Sequence, residues 1–185
     1  MNLADKLIAI NLSLDRGGIE HAFGGAIALA YWTEDPRGTS DIDVNLFVAQ
    51  ENCELGLTAL PGEVATDEET IPQIKRDGQI RLWWDTTPID LFFDNLPIHE
   101  KAALNRREVP FEGVLIPILG PVELAIFKAM FDRTQDWADI EAMLRSMTLD
   151  FDELQAAIES LVGAKDPRLE RLDEALRRAD RDRPT

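Results

Sequence analysis

The stretch RGTSDIDVNLFV, Arg37 to Val48, alternates apolar and polar residues with a period of two. Successive side chains of a strand point to opposite faces, so Ile42, Val44, Leu46 and Val48 share one face and Asp41, Asp43 and Asn45 the other. The pattern predicts a strand with a buried apolar side and two like charges at its entrance. Same-face neighbours lie about 6.5–7 Å apart along the backbone, within reach of one shared cation. Carboxylates held together beside an apolar sheet are costly unless something positive neutralises them, and hard oxygen ligands suit Mg²⁺ or Mn²⁺. The plainer alternative is that both acids point into water from a half-exposed strand.

Two features elsewhere bear on that choice. Asp90, in PIDLFF, is another carboxylate in an apolar run, and on a neighbouring strand it completes a triad with Asp41 and Asp43. Such a triad suits the two-metal clamp of in-line phosphoryl or nucleotidyl transfer. Upstream, Gly24-Gly25 stands between the apolar run IEHAF (19–23) and the helix formers AIALAYW (26–32). Glycine lets the backbone approach a phosphate, and a helix N-terminus adds free N–H donors; a glycine pair alone is more often merely a tight turn.

Outward from this centre, residues 2–15 have helical spacing and stop at Gly17-Gly18, while Asp35-Pro36 is expected to end the helix of 26–32. A short helix is expected within 51–61. A hairpin joins Gln79–Trp84 to Ile89–Phe93 through DTTP, and residues 109–121 are β-prone. From Leu124 through Phe127, Phe131, Ile140 and Leu144 the apolar spacing is three and four, predicting a helical run. Further helices are expected at about 151–162 and 168–181. The reading is α+β: a mixed sheet flanked by helices over 1–120 and a helical part over 121–185, within one compact unit.

The 185 residues suffice for one ordinary core. No run approaches the roughly 20 apolar residues that span a bilayer, and Asp5, Lys6 and Asp15 interrupt any leader-like block, so a cytoplasmic chain without a membrane partner is expected. The single cysteine, Cys53, makes no disulfide framework, and neither His21 nor His99 sits in a zinc motif. A net charge of −16 opposes broad attraction to nucleic acid, although Lys165–Arg183 holds seven bases against six acids. Those arginines suit either an RNA backbone or a salt-bridged surface. The tryptophans Trp32, Trp83, Trp84 and Trp137 suit either a core or base stacking.

Phosphate turn, helix, acidic strand and later acid, in that order, resemble the nucleotidyltransferase fold of the DNA polymerase β superfamily. FGGAIALAYW followed by RGTSDIDV is more specifically similar to the AbiEii and MenT toxin nucleotidyltransferases. LAIFKAM and DRTQDWADIEAML resemble the later motifs, so the likeness extends over about residues 19–145. Gly25 stands where related enzymes often carry serine, and Gln135 where a lysine often precedes the late aspartate.

The resemblance implies an enzyme that transfers a nucleotide from an NTP, with Mg²⁺ or Mn²⁺, to the 3′ acceptor end of tRNA. It would block translation as the toxin of a pair with a cognate antitoxin. Asp41, Asp43 and Asp90 would bind metal. Gly24, Gly25, Arg37, Thr39, Ser40 and Lys128 would bind nucleotide, with Lys128 a point charge on phosphate. Asp136 would orient Lys128 or position the attacking hydroxyl, with Asp139 beside it. Thr39 or Ser40 would be a regulatory phosphorylation point, where added charge crowds the triphosphate. The alternatives are transfer to a protein hydroxyl or small molecule, and a catalytically inert antitoxin or binding module of the same fold.

Overall fold

A computed structural model describes residues 1–33 and 37–181. The chain forms two compact units, one of Met1–Ile27 with Gly38–Leu119, the other of Ala28–Arg37 with Gly120–Thr185. Asp35 and Pro36, expected to stop a helix, lie outside the described residues, as do Asp182 and Arg183 of the charged tail.

The first unit is built on a six-stranded mixed sheet. Its strands are β1 (His21–Phe23), β2 (Ile42–Ala49), β3 (Gln79–Trp84), β4 (Thr87–Asp94), β5 (Arg107–Phe111) and β6 (Val114–Ile118), ordered β3-β4-β2-β1-β6-β5. β2 runs parallel to β4 and β1 to β6; the other pairs are antiparallel. The β-prone run after 109 becomes the β5–β6 hairpin, closed by Glu112 and Gly113 with φ of 45° and 86°. Two positive φ values match the right-handed strand twist in a two-residue turn.

Alternation decides what this sheet buries. Ile42, Val44 and Leu46 of β2 and Ile89, Leu91 and Phe93 of β4 are fully buried, whereas Asp43 and Asp90 are only partly covered. Helix α1 (Leu3–Arg16), opened by a capping box between Asn2 and Asp5, adds a buried stripe of Leu7, Ile10 and Leu14 at helical spacing. The same stripe carries buried Lys6, whose ammonium donates to the Trp84 carbonyl at 2.8 Å and the Thr87 hydroxyl at 3.0 Å. Those bonds pin the turn between β3 and β4. Helix α2 (Gly25–Thr33) begins directly after β1 and Gly24, giving the expected strand, glycine turn and helix. Helices α3 (Cys53–Thr58), α4 (Thr70–Asp77) and α5 (Ile98–Asn105) complete the connections; α4 and α5 are not foreseen by the sequence pattern.

The second unit is helical: α6 (Pro121–Phe131), α7 (Thr134–Arg145), α8 (Phe151–Val162) and α9 (Pro167–Arg181). Ile126, Ala129, Ile140, Met143, Leu154, Ile158 and Leu172 are buried in it. The expected continuous run after Leu124 is broken at Asp132, which takes the left-handed conformation (φ 59°) and returns its N–H to the Lys128 carbonyl at 3.0 Å. Asp, like Asn, visits that conformation more readily than other non-glycine residues. Along α9, Arg168 pairs with Asp166, Arg171 with Asp132 and Arg178 with Glu174. Among the described residues, no helix is long and apolar enough to cross a membrane.

Candidate active site

Strand register in the first unit collects the charged groups. Asp43 of β2 is paired with Asp90 of β4, which is paired with Arg81 of β3. Directly paired residues share a sheet face. On the other side of Asp43, the Gly24 N–H donates to its backbone carbonyl at 3.0 Å. Arg81, Asp90, Asp43 and Gly24 thus form one row across four adjacent chain segments, with Asp41 one step further along. Arg81 answers the like-charge problem posed by the sequence. Its Nε donates to Asp90 Oδ1 at 2.7 Å and its terminal nitrogen to Oδ2 at 2.6 Å, while Asp41 Oδ2 lies 3.7 Å away. These hydrogen bonds, with the charges of Asp90, Asp41 and Asp43, push the Arg81 pKa above its ordinary value.

Gly25 has a geometric reason to be glycine. Its φ is 52°, and a Cβ there would lie 1.8 Å from Asp43 Oδ2 and 2.6 Å from its Cγ. The Asp43 carboxylate fills the space that the missing side chain leaves, at the N-terminus of α2, where the helix dipole favours negative charge. A phosphate at this turn must share it with Asp43, and two anions share such a place stably only with a cation between them. Ahead of β2, the Thr39 hydroxyl donates to Asp41 Oδ1 at 2.7 Å, and Ser40 is exposed.

The donor set fits a hard divalent cation chemically, being carboxylate oxygen throughout. Both Asp90 oxygens are engaged by Arg81, and Asp41 accepts from Thr39 with Arg81 3.7 Å away. Among the described residues no three such side chains close on a common point as they stand.

The second unit holds the other sequence-predicted residues. Lys128 of α6 is buried, donating to Asp139 Oδ2 at 2.6 Å with Asp136 Oδ1 at 3.9 Å. Arg37 donates to the same Asp139 oxygen at 3.1 Å and Gln135 to its Oδ1 at 2.9 Å. Asp139 is therefore the hub, ahead of Asp136. Asp136 instead accepts from the Arg133 backbone N–H at 3.2 Å and from its guanidinium at 2.7 and 3.1 Å, closing the first turn of α7. Arg37, its side chain 44% exposed, retains surface for a ligand, and Lys128, at 7%, is enclosed by carboxylates.

No protein-family model matches the chain, and no curated protein does. Solved structures do. The antibiotic-resistance factor ANT(2'')-Ia in solution superposes with a TM-score of 0.61 at 10% identity, covering 85% of this chain and 90% of that one. The fold is that of the nucleotidyltransferases. Its crystal structure in complex with adenylyl-2''-tobramycin gives the same TM-score at 12% identity, covering 85% of this chain and 97% of that one. An antigenic nucleotidyltransferase-like protein from Paracoccidioides brasiliensis reaches 0.50 at 20% identity, covering 93% and 91%. Within this nucleotidyltransferase fold, the row of acids lies on the β2–β4 pair.

The residue that sequence reasoning misses is Arg81. Its signal is hairpin arithmetic: a two-residue turn at Asp85-Thr86 pairs Trp84 with Thr87 and so Arg81 with Asp90. Reading DTTP as the turn hides that register.

Proposed function

We propose that this chain transfers a nucleoside monophosphate from an NTP to an acceptor hydroxyl. The observation that carries the reading is the row in which Asp43 and Asp90 stand side by side on parallel strands, with the Gly24-Gly25 turn against Asp43. In this reaction the acceptor hydroxyl loses its proton to solvent, its oxygen forms a bond to the α-phosphorus, the bond to the bridging oxygen breaks, and pyrophosphate leaves with that electron pair. Mg²⁺ or Mn²⁺, when bound, lowers the pKa of the attacking hydroxyl and offsets charge on the triphosphate. Asp41, oriented by Thr39, and Asp43, seated against Gly25, would hold that cation, with Asp90 the third acid once released by Arg81. Gly24 and Gly25 admit phosphate to the backbone. By the motif resemblance Arg37, exposed and held by Asp139 beside buried Lys128, would contact a phosphate.

Resemblance to the AbiEii and MenT motifs names the acceptor as the 3′ end of tRNA and the role as a translation-blocking toxin with a cognate antitoxin. Thr39 or Ser40 would then be the point of phosphorylation control. A second reading, a cationic small-molecule acceptor, is favoured by the net charge of −16, which suits a polyamine better than a polyanion. The test incubates wild type and Asp41→Ala with each α-labelled NTP, Mg²⁺ and either total tRNA or a panel of aminocyclitols. Wild-type label on tRNA supports the first reading and on an aminocyclitol the second. Label on neither, or equal label from Asp41→Ala, overturns both.

A further inference from the structure

We propose that Arg81 is a resident counter-cation of the acid row, holding Asp90 and Asp41 until a divalent cation displaces it, and thereby setting the affinity of the row for that cation. The inference rests on the proposed metal-dependent transfer and goes beyond it by assigning a positioning residue to the same site.

Three observations converge. The two nitrogens of Arg81 occupy both oxygens of Asp90, the acid that otherwise completes the donor set, and Asp41 is within 3.7 Å of the same guanidinium. The register of β3 on β4 fixes this encounter, so it is built into the hairpin. Release is structurally easy: β3 is the edge strand of the sheet and the Arg81 side chain is 51% exposed, so the guanidinium can rotate into water without moving backbone. A guanidinium and a divalent cation on the same carboxylate oxygens exclude one another by size and by like charge.

Two consequences follow. The acids can fold together without metal, because their repulsion is already offset. The bare cation binds weakly, since it competes with an internal one, and enters best with the triphosphate, whose own charge helps to displace Arg81.

The test is Mn²⁺ binding to the full nucleotide-free chain, followed by the paramagnetic signal of free Mn²⁺, with Asp41→Asn marking which binding belongs to the row. Arg81→Gln is expected to tighten the Asp41-dependent binding about tenfold, the scale of one charge-assisted pair. Arg81→Lys, which keeps the charge but loses the two-pronged grip, is expected to fall between; should Arg81→Gln not fold, Arg81→Lys alone decides by the same sign. Asp41-dependent binding that is unchanged or weaker in the Arg81 variants overturns the inference and leaves the transfer reading standing. Absence of Asp41-dependent binding in every protein, Arg81→Gln included, also overturns the inference, whereas the transfer reading is decided by label transfer alone.

Discussion

Gly25 and Asp43 occupy one space between them. The left-handed φ of 52° and the carboxylate 1.8 Å from the ideal Cβ position are two independent demands on residue 25, and only glycine meets both. Gly25→Ala must therefore strain the turn or push Asp43 out of the row. We expect it to lower stability by about 1–3 kcal/mol, the range for a residue held in a sparsely populated backbone region. Nucleotide transfer should fall by more than tenfold, because displacement by about 1 Å is costly to positioned chemistry. Urea unfolding and label transfer check the two effects; a variant with wild-type midpoint and rate would contradict the geometry.

At the level of elements, α6 and α7 meet through charge as well as apolar packing. Asp139 neutralises buried Lys128 and anchors Arg37 and Gln135, so Asp139→Asn leaves an enclosed ammonium whose nearest carboxylate among the described residues is Asp136 at 3.9 Å. Breaking one side of a buried pair costs about 3–5 kcal/mol, whereas replacing both partners by apolar residues is often neutral. Asp139→Asn should lose about that much in urea unfolding, and Lys128→Met with Asp139→Leu should recover most of it; equal loss in both proteins would contradict the pairing.

The same elements show what the sequence makes legible. Period-two alternation makes β2 and the acids legible as far as Leu46, but Asn45 on the expected polar face is buried and Val48 on the expected apolar face is only half-buried, where the register with β4 shifts; glycine chemistry marks the turn before α2. Asp132 was not legible as a break, since the apolar spacing of three and four continues across it; only its left-handed backbone stops α6. Spacing along one continuous helix cannot show which acid points at Lys128 across a turn, so Asp139 as the partner is legible only in the fold. Arg81 needed the exact length of a turn, and one residue of error there moves every cross-strand partner.

For the molecule as a whole, acidity and buried imidazoles set the response to pH. Burial pushes His21 below its ordinary value of 6.5, with Arg106 adding to that and the Ile19 carbonyl, Asp15 and Glu108 opposing. Burial likewise lowers His99 against the Leu96 carbonyl and Asp94. Each takes a proton less readily folded than unfolded, so their contribution is full above 6.5 and is lost as pH falls below it. Stability measured in urea should drop between about pH 7.5 and about pH 5.5, and drop less in a His21→Gln, His99→Gln variant. An identical drop in the variant would place the titration elsewhere.

The net charge of −16 also divides the acceptors, since a polyanionic acceptor must reach the acids against the field of the chain. Movement of an α-phosphate label from NTP to an acceptor hydroxyl, compared between wild type and Asp41→Ala, tests the whole account most directly. The account predicts transfer with release of pyrophosphate by wild type and loss of both in Asp41→Ala; transfer that survives the substitution would contradict it.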